Sequence, residues 1–279
     1  MFAKISYTWG LMRASWNVLK SDKTLLLFPL LSGVCCIVVL LSFAVPMFLT
    51  GAWQPPGREA SQASYVVYYG MLFLFYVANY FTITFFNTAI VSCAMRLMAG
   101  QTATVGDGFR EAGLRLPQIA GWALLSATVG LILRIVEDRS EKIGRIVAGL
   151  LGMAWTVMSF LVVPIIVGER KGPFAALKES SQMLRQTWGE QVVGSFSFGL
   201  VFGVLSLPAL AFIVVAAFLG NIGLLVLSII VLVVYLVALS LVQSALQSIF
   251  QAAVYLYAYN QAAPPGFAPE LLSGAMRPK

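Results

Sequence analysis

The chain contains no histidine, and only 10% of its 279 residues are charged. Without histidine the commonest general base and metal ligand are missing. No Ser-His-Asp, Cys-His or HExxH arrangement can form from this chain. Soluble domains carry about 25% charged residues, so the scarcity of charge points to a membrane protein. Cysteine is also scarce. Cys35, Cys36 and Cys93 make an odd number without CxxC spacing, which excludes a disulfide framework and a zinc site. No Walker lysine motif occurs, and the glycines around "GDGFREAG" do not complete a GxGxxG fingerprint. Neither a cofactor nor a metal is expected. Glu111, Glu179 and Glu190 could serve an enzyme acting on lipid headgroups, but carboxylates between apolar runs read as solvated helix faces. No catalysis of the chain's own is expected. No Lys/Arg-rich run accompanies the net charge of +7, so the basic residues point to membrane topology and not to nucleic acid.

What is abundant is hydrophobic sequence, 59% of the chain. Its uncharged runs reach the roughly 20 residues a helix needs to cross a bilayer. The predicted fold is an all-α polytopic membrane helical bundle forming a single membrane domain over 1–260, with a short tail at 261–279. The spans fall at about 25–50, 65–95, 118–136, 146–168, 192–219 and 224–250, the last continuing as helix to about 260. Pro29, Pro46 and Pro208 lie inside them, as membrane helices allow. The first run begins at Leu25 and is too long for a signal-peptide core. No Asp or Glu lies between span ends, which argues against a buried ion or proton path. Thirteen of the eighteen Lys and Arg fall on the side of both termini, whereas Arg58, Arg134, Arg139, Lys142 and Arg145 fall on the other. The positive-inside rule then places both termini in the cytoplasm of a bacterial or archaeal inner membrane.

The segments preceding alternate spans are amphipathic. Phe2, Ile5, Trp9, Met12, Trp16 and Leu19 share one helical face. So do Val105, Phe109, Ala112, Leu116 and Ile119, and likewise Phe174, Leu177, Ser181, Leu184 and Trp188. Three cytoplasmic interfacial helices are expected, anchored by Trp9, Trp16, Phe109 and Trp188. A thin echo runs through them: "MRAS" at 12–15, "FREA" at 109–112 and "LKES" at 177–180. Each has an apolar residue, a base and then a small residue, which suggests a threefold repeat of one interfacial helix followed by a two-span hairpin.

The blocks "FFNTAIVSCAMRL", "VGDGFREA", "AWTVMSFLVVPIIV", "LKESSQMLRQTWGE" and "AAVYLYAY" resemble a family of prokaryotic six-span membrane proteins of unknown function. That resemblance implies an integral membrane protein and carries no reaction, ligand or catalytic residue with it.

One span is unusual. "SLVQSALQSIFQ" places Ser240, Gln243, Ser244, Gln247, Ser248 and Gln251 within about 140° of a helical circumference. This sector has two readings. Either the polar groups bond neighbouring helices and let them approach closely, or they line a water- or headgroup-filled cavity. Asn79 and Asn87 in the second span are plausible partners for both. Ser195, Gly199, Gly203 and Ser206 cluster on the fifth span and predict close helix packing. The expected partners are membrane lipids, with another membrane protein or a second copy of the chain as further candidates. The expected role is the organisation of lipids or partner proteins. The rival is a small transporter or lipid-translocating protein that uses the polar face of the last span.

Overall fold

The computed structural model describes residues 2–51, 57, 61–139, 143–188, 198–219, 221–269 and 272. Among them no strand occurs. The elements are α1 (Phe2–Ser21), a 3-10 turn (Lys23–Leu26), α2 (Leu27–Leu49), α3 (Gln62–Met98), α4 (Val105–Gly113), α5 (Leu116–Arg139), α6 (Ile143–Met158), α7 (Val162–Glu169), α8 (Pro173–Trp188), α9 (Phe198–Phe218) and α10 (Ile222–Asn260). The structure is an all-α bundle with six helical stretches long and apolar enough to cross a membrane. Residues 192–197 of the expected fifth span lie outside the described residues.

Local chemistry sets the boundaries. Ser61 and Asn221 cap α3 and α10, accepting hydrogen bonds from the Ser64 and Leu224 amides. Arg170 and Gln261, both left-handed, end α7 and α10. Thr104 and Asp107 close a reciprocal capping box at the start of α4. Pro173 opens α8, where its missing N–H would have no helical partner. Pro29 lies in the first turn of α2, so only Pro46 and Pro208 are truly internal.

The fourth span departs from the single run expected at 146–168. It breaks at residues 159–161 and restarts as α7. Pro164 is the physical cause: it has no N–H to bond back to residue 160, and it sits in the first turn of α7, where none is needed. The amide exposed by the break is satisfied across the bundle, where Leu161 N–H donates to the buried Ser180 Oγ of α8 at 3.0 Å.

The element order runs short helix then two-pass hairpin three times: α1 with α2–α3, α4 with α5–α7, and α8 with α9–α10. Each short helix packs chiefly on the last helix of the unit before it. Thus α4 packs on α3, α8 on α7, and α1 closes the cycle on α10. The three last helices, α3, α7 and α10, touch one another at the centre. The outer helices close this ring unequally. The α5 helix packs extensively on α3, whereas α2 touches α10 only lightly. A loose seam results between α2 and α10.

The short helices turn inward more than their sequence stripes predict. On α1 the buried residues are Leu11, Met12, Ala14, Ser15, Val18 and Leu19, while Trp9 and Trp16 stay exposed. The buried face is rotated by roughly 90° from the predicted stripe, at 100° per residue. Phe2 and Ile5 have side chains outside the described residues. Ala112 and Ile119 are buried but belong to different helices, because the chain turns at Leu114–Arg115. On α8, Ala176, Ser180 and Leu184 face inward and Phe174 outward. The segment expected as a tail also packs: Phe267 and Leu272 are buried, and Gly266 lies against Val18 of α1. In α9 the predicted close packing is not found at Gly203, where an added Cβ would meet nothing within 4 Å. Ser195 and the side of α9 at Gly199 lie outside the described residues.

Candidate functional site

The polar sector of α10 faces an open groove of about 350 Å³. It is lined by Ser240, Gln243, Ser244, Gln247, Ser248 and Gln251, with Asn87 of α3 opposite. Two of these serve their own helix or α3: Ser240 and Ser248 Oγ donate to the carbonyls of Val237 and Ser244, and Ser248 Oγ also reaches Asn87 Oδ1 at 3.5 Å. The amides of Gln243, Gln247 and Gln251 make no hydrogen bond to the protein among the described residues. Each amide offers two donors and an acceptor that need partners from outside the chain. Asn79 is not part of the groove; its Nδ2 donates to Phe75 O within α3.

A second lobe of about 340 Å³ shares Asn87, Ser240 and Ser244 and extends along α2 past Ser32, Gly33 and Cys36. This lobe occupies the loose α2–α10 seam. The α2 wall escaped the sequence reading, although "LLSGVCC" does interrupt an apolar run with small residues.

Helix lengths set the depth of the site. From Ile222, Ser240 lies about 27 Å along α10 and Gln251 about 43 Å, at 1.5 Å per residue. A bilayer's hydrocarbon is about 30 Å thick. An α10 that enters at Ile222 therefore brings its polar sector to the level of lipid headgroups. Asn87, on the long α3, lies at the matching depth.

Beside this level the bundle is firmly built. Phe109 packs among Phe28, Phe85 and Phe86, with centroids 5.8, 6.1 and 5.9 Å away. It is a core ring rather than a surface anchor. Gly108 lets α4 approach: a Cβ there would lie 2.5 Å from Phe28 Cζ and 3.0 Å from Cys93 Sγ. Arg115, 5% exposed, donates to Glu111 Oε2 at 2.5 Å and to the carbonyls of Ile166 and Val167. It thus places a cation on the last carbonyls of α7. Lys171 bridges Glu169, at 2.7 Å, and Glu179. Those two carboxylates hold its ammonium pKa above the usual value. Tyr255 O–H of α10 donates to Glu169 Oε1 at 3.1 Å, which ties the centre of the bundle to this cluster. Asp107 accepts from Thr104 Oγ1 and the Thr104 amide and pairs with Arg96 at 3.3 Å. The Thr104 hydrogen bonds first, and then the arginines, hold its carboxyl below the ordinary range. Charged groups with partners inside the protein make a frame, whereas the uncharged amides of α10 stay open. Sequence reasoning missed the parts of this frame whose partners lie 8 to 86 residues apart.

Trp9 and Trp16 remain on the outer side of α1, 58% and 38% exposed. The Trp188 side chain lies outside the described residues. What the groove can do chemically is donate and accept hydrogen bonds at fixed spacing without charge. It offers no nucleophile and base pair.

No curated protein matches the chain. A family described as one of unknown function, DUF6159, matches residues 66–265, from α3 to just past the end of α10. The match takes in the groove walls on α3 and α10 and covers more than half of the sequence, so this multi-pass chain belongs to the DUF6159 family.

Proposed function

We propose that this protein is a non-catalytic component of the bacterial or archaeal cytoplasmic membrane that organises lipids by holding their headgroups in the α10 groove. Both termini face the cytoplasm, so the groove opens at the inner leaflet; the side-to-side imbalance of Lys and Arg supports this orientation. The observation that carries the reading is the set of three glutamine amides that face open space without a hydrogen bond among the described residues; entry of α10 at Ile222 would set them near headgroup depth. In a dry helix contact such amides would each strand hydrogen-bonding capacity, at about 1–3 kcal/mol per unsatisfied group. Water and the hydroxyl, phosphate and ester oxygens of lipids satisfy them instead. The opposite wall is uncharged, which favours recognition through hydrogen bonds over ion pairing.

A translocation role is the second reading, favoured by the lobe that continues along α2 toward the apolar level of the bundle. One experiment separates the two. The wild type and a Gln243→Leu/Gln247→Leu/Gln251→Leu variant are reconstituted in liposomes containing fluorescent lipids, and copurifying lipid is quantified before reconstitution. Headgroup holding predicts retained lipid that the triple variant loses, with no exchange between leaflets. Translocation predicts leaflet exchange that the triple variant abolishes. Equal lipid retention and no exchange in both proteins would refute both.

A further inference from the structure

The reverse side of α10 carries a different cavity. An apolar groove of about 620 Å³ runs between α1, α9 and α10, within the roughly 300–1,000 Å³ typical of small-ligand sites. Its floor follows α10 from Tyr235 through Ala238 and Val242 to Leu246, about 16 Å along the axis. On a helical wheel this floor lies roughly 150° from the polar sector. Tyr235 O–H closes the deep end by donating to Leu205 O of α9 at 2.7 Å. The other end meets α1, which contributes Trp9, Arg13 and Trp16.

That end is where charge appears. Arg13 is exposed and has no ion pair or hydrogen bond among the described residues. Trp9, Arg13, Trp16 and Lys20 fall within about 60° of one another on α1, and Lys20 Nζ stands 5.7 Å from the Trp16 ring. Indoles alternating with cations along an exposed face suit the headgroup layer, and cations there attract anionic lipid.

We propose that this groove is a binding site for one anionic phospholipid, its acyl chain along α10 and its phosphate on Arg13. The long, apolar floor fits a hydrocarbon chain, and the unpaired guanidinium at its mouth matches a phosphate, which it can engage through two parallel hydrogen bonds. The bound lipid fastens α1 to α9 and α10. This site does not depend on the polar groove.

Native mass spectrometry of the purified protein, titrated with phosphatidylglycerol or phosphatidylcholine, tests the site. The wild type is expected to retain phosphatidylglycerol preferentially. Arg13→Gln should reduce that preference about fivefold, the effect of one cation at an anionic surface. Ala238→Phe, which fills the floor, should remove both lipids. The triple glutamine variant should keep its phosphatidylglycerol, which separates failure of this site from failure of the polar groove. Should Ala238→Phe lose helical circular dichroism, Arg13→Gln decides the matter alone. Wild-type phosphatidylglycerol retention in Arg13→Gln would overturn the proposal. So would a dimer in lipid-free detergent that Ala238→Phe dissociates, because a second copy of the chain would then occupy the groove.

Discussion

The two halves of α10 obey opposite rules. Between Ile222 and Leu239 the helix is almost wholly apolar, yet most of its large side chains are exposed. Between Ala245 and Ala258 it carries polar residues, yet most of its surface is buried. The same contrast holds along α3, whose buried residues begin at Thr84. Lipid tails solvate the first half and need no packing from the protein. In the second half, α1, α4, α7 and α8 gather around the long helices and make a dense core. Hydrophobicity therefore marks contact with lipid here, and contact with protein follows mixed composition.

The sharpest test of this contrast is a pair of truncations on one helix. Ile249→Ala empties a fully buried site and should lower unfolding stability in detergent by about 2–5 kcal/mol. Val234→Ala, at a site 64% exposed, should change it by no more than about 0.5 kcal/mol. Equal losses would break the comparison. Glycines extend it. Gly108→Val must displace the Phe28 ring and should destabilise by about 1–3 kcal/mol. Gly203→Ala meets open space and should raise the thermal midpoint, since Ala in a helix gains about 0.5–1 kcal/mol over Gly.

Part of this division was legible in the sequence. The six apolar stretches, the amphipathic short helices and the helix-hairpin order all follow from periodicity and run length. Which part of an amphipathic face meets protein was not legible. Met12, Trp9 and Trp16 are equally apolar in a stripe, and only the tertiary docking on α10 separates the buried methionine from the exposed indoles. The break before α7 did have a signal, Pro164, whose effect depends on Ser180 arriving to satisfy the freed amide. The polar sector of α10 was visible residue by residue. Its second wall on α2 was not, since Ser32, Gly33 and Cys36 become a wall only at a seam between distant helices.

Smaller effects concern the boundary between the halves. Gln247→Leu should leave stability within about 0.5 kcal/mol of wild type, because the amide has no partner among the described residues to strand; a dry contact would lose about 1–3 kcal/mol. The smallest effect is the pH response of α4. The Asp107 carboxyl is held below its ordinary range by Thr104 and Arg96. Its contribution is present above the unfolded value near pH 4 and fades as pH falls through the folded value. The protection of α4 amides, exchange relative to the intrinsic rate at each pH, should fall below about pH 4, and Asp107→Asn should show the lower protection at neutral pH without that acid step.

A water- and headgroup-filled groove where the two halves meet underlies the proposed function. Accessibility of Gln247 to solvent measures this directly. With Cys35, Cys36 and Cys93 changed to alanine, single cysteines are placed at Gln247, Val234 and Gln101 and exposed to a membrane-impermeant thiol reagent in inverted membrane vesicles. An open groove predicts labelling of Gln247→Cys at a rate close to that of the exposed Gln101→Cys, with Val234→Cys unlabelled. Labelling of Gln101→Cys alone would mean that the polar sector is sealed, and would contradict the account.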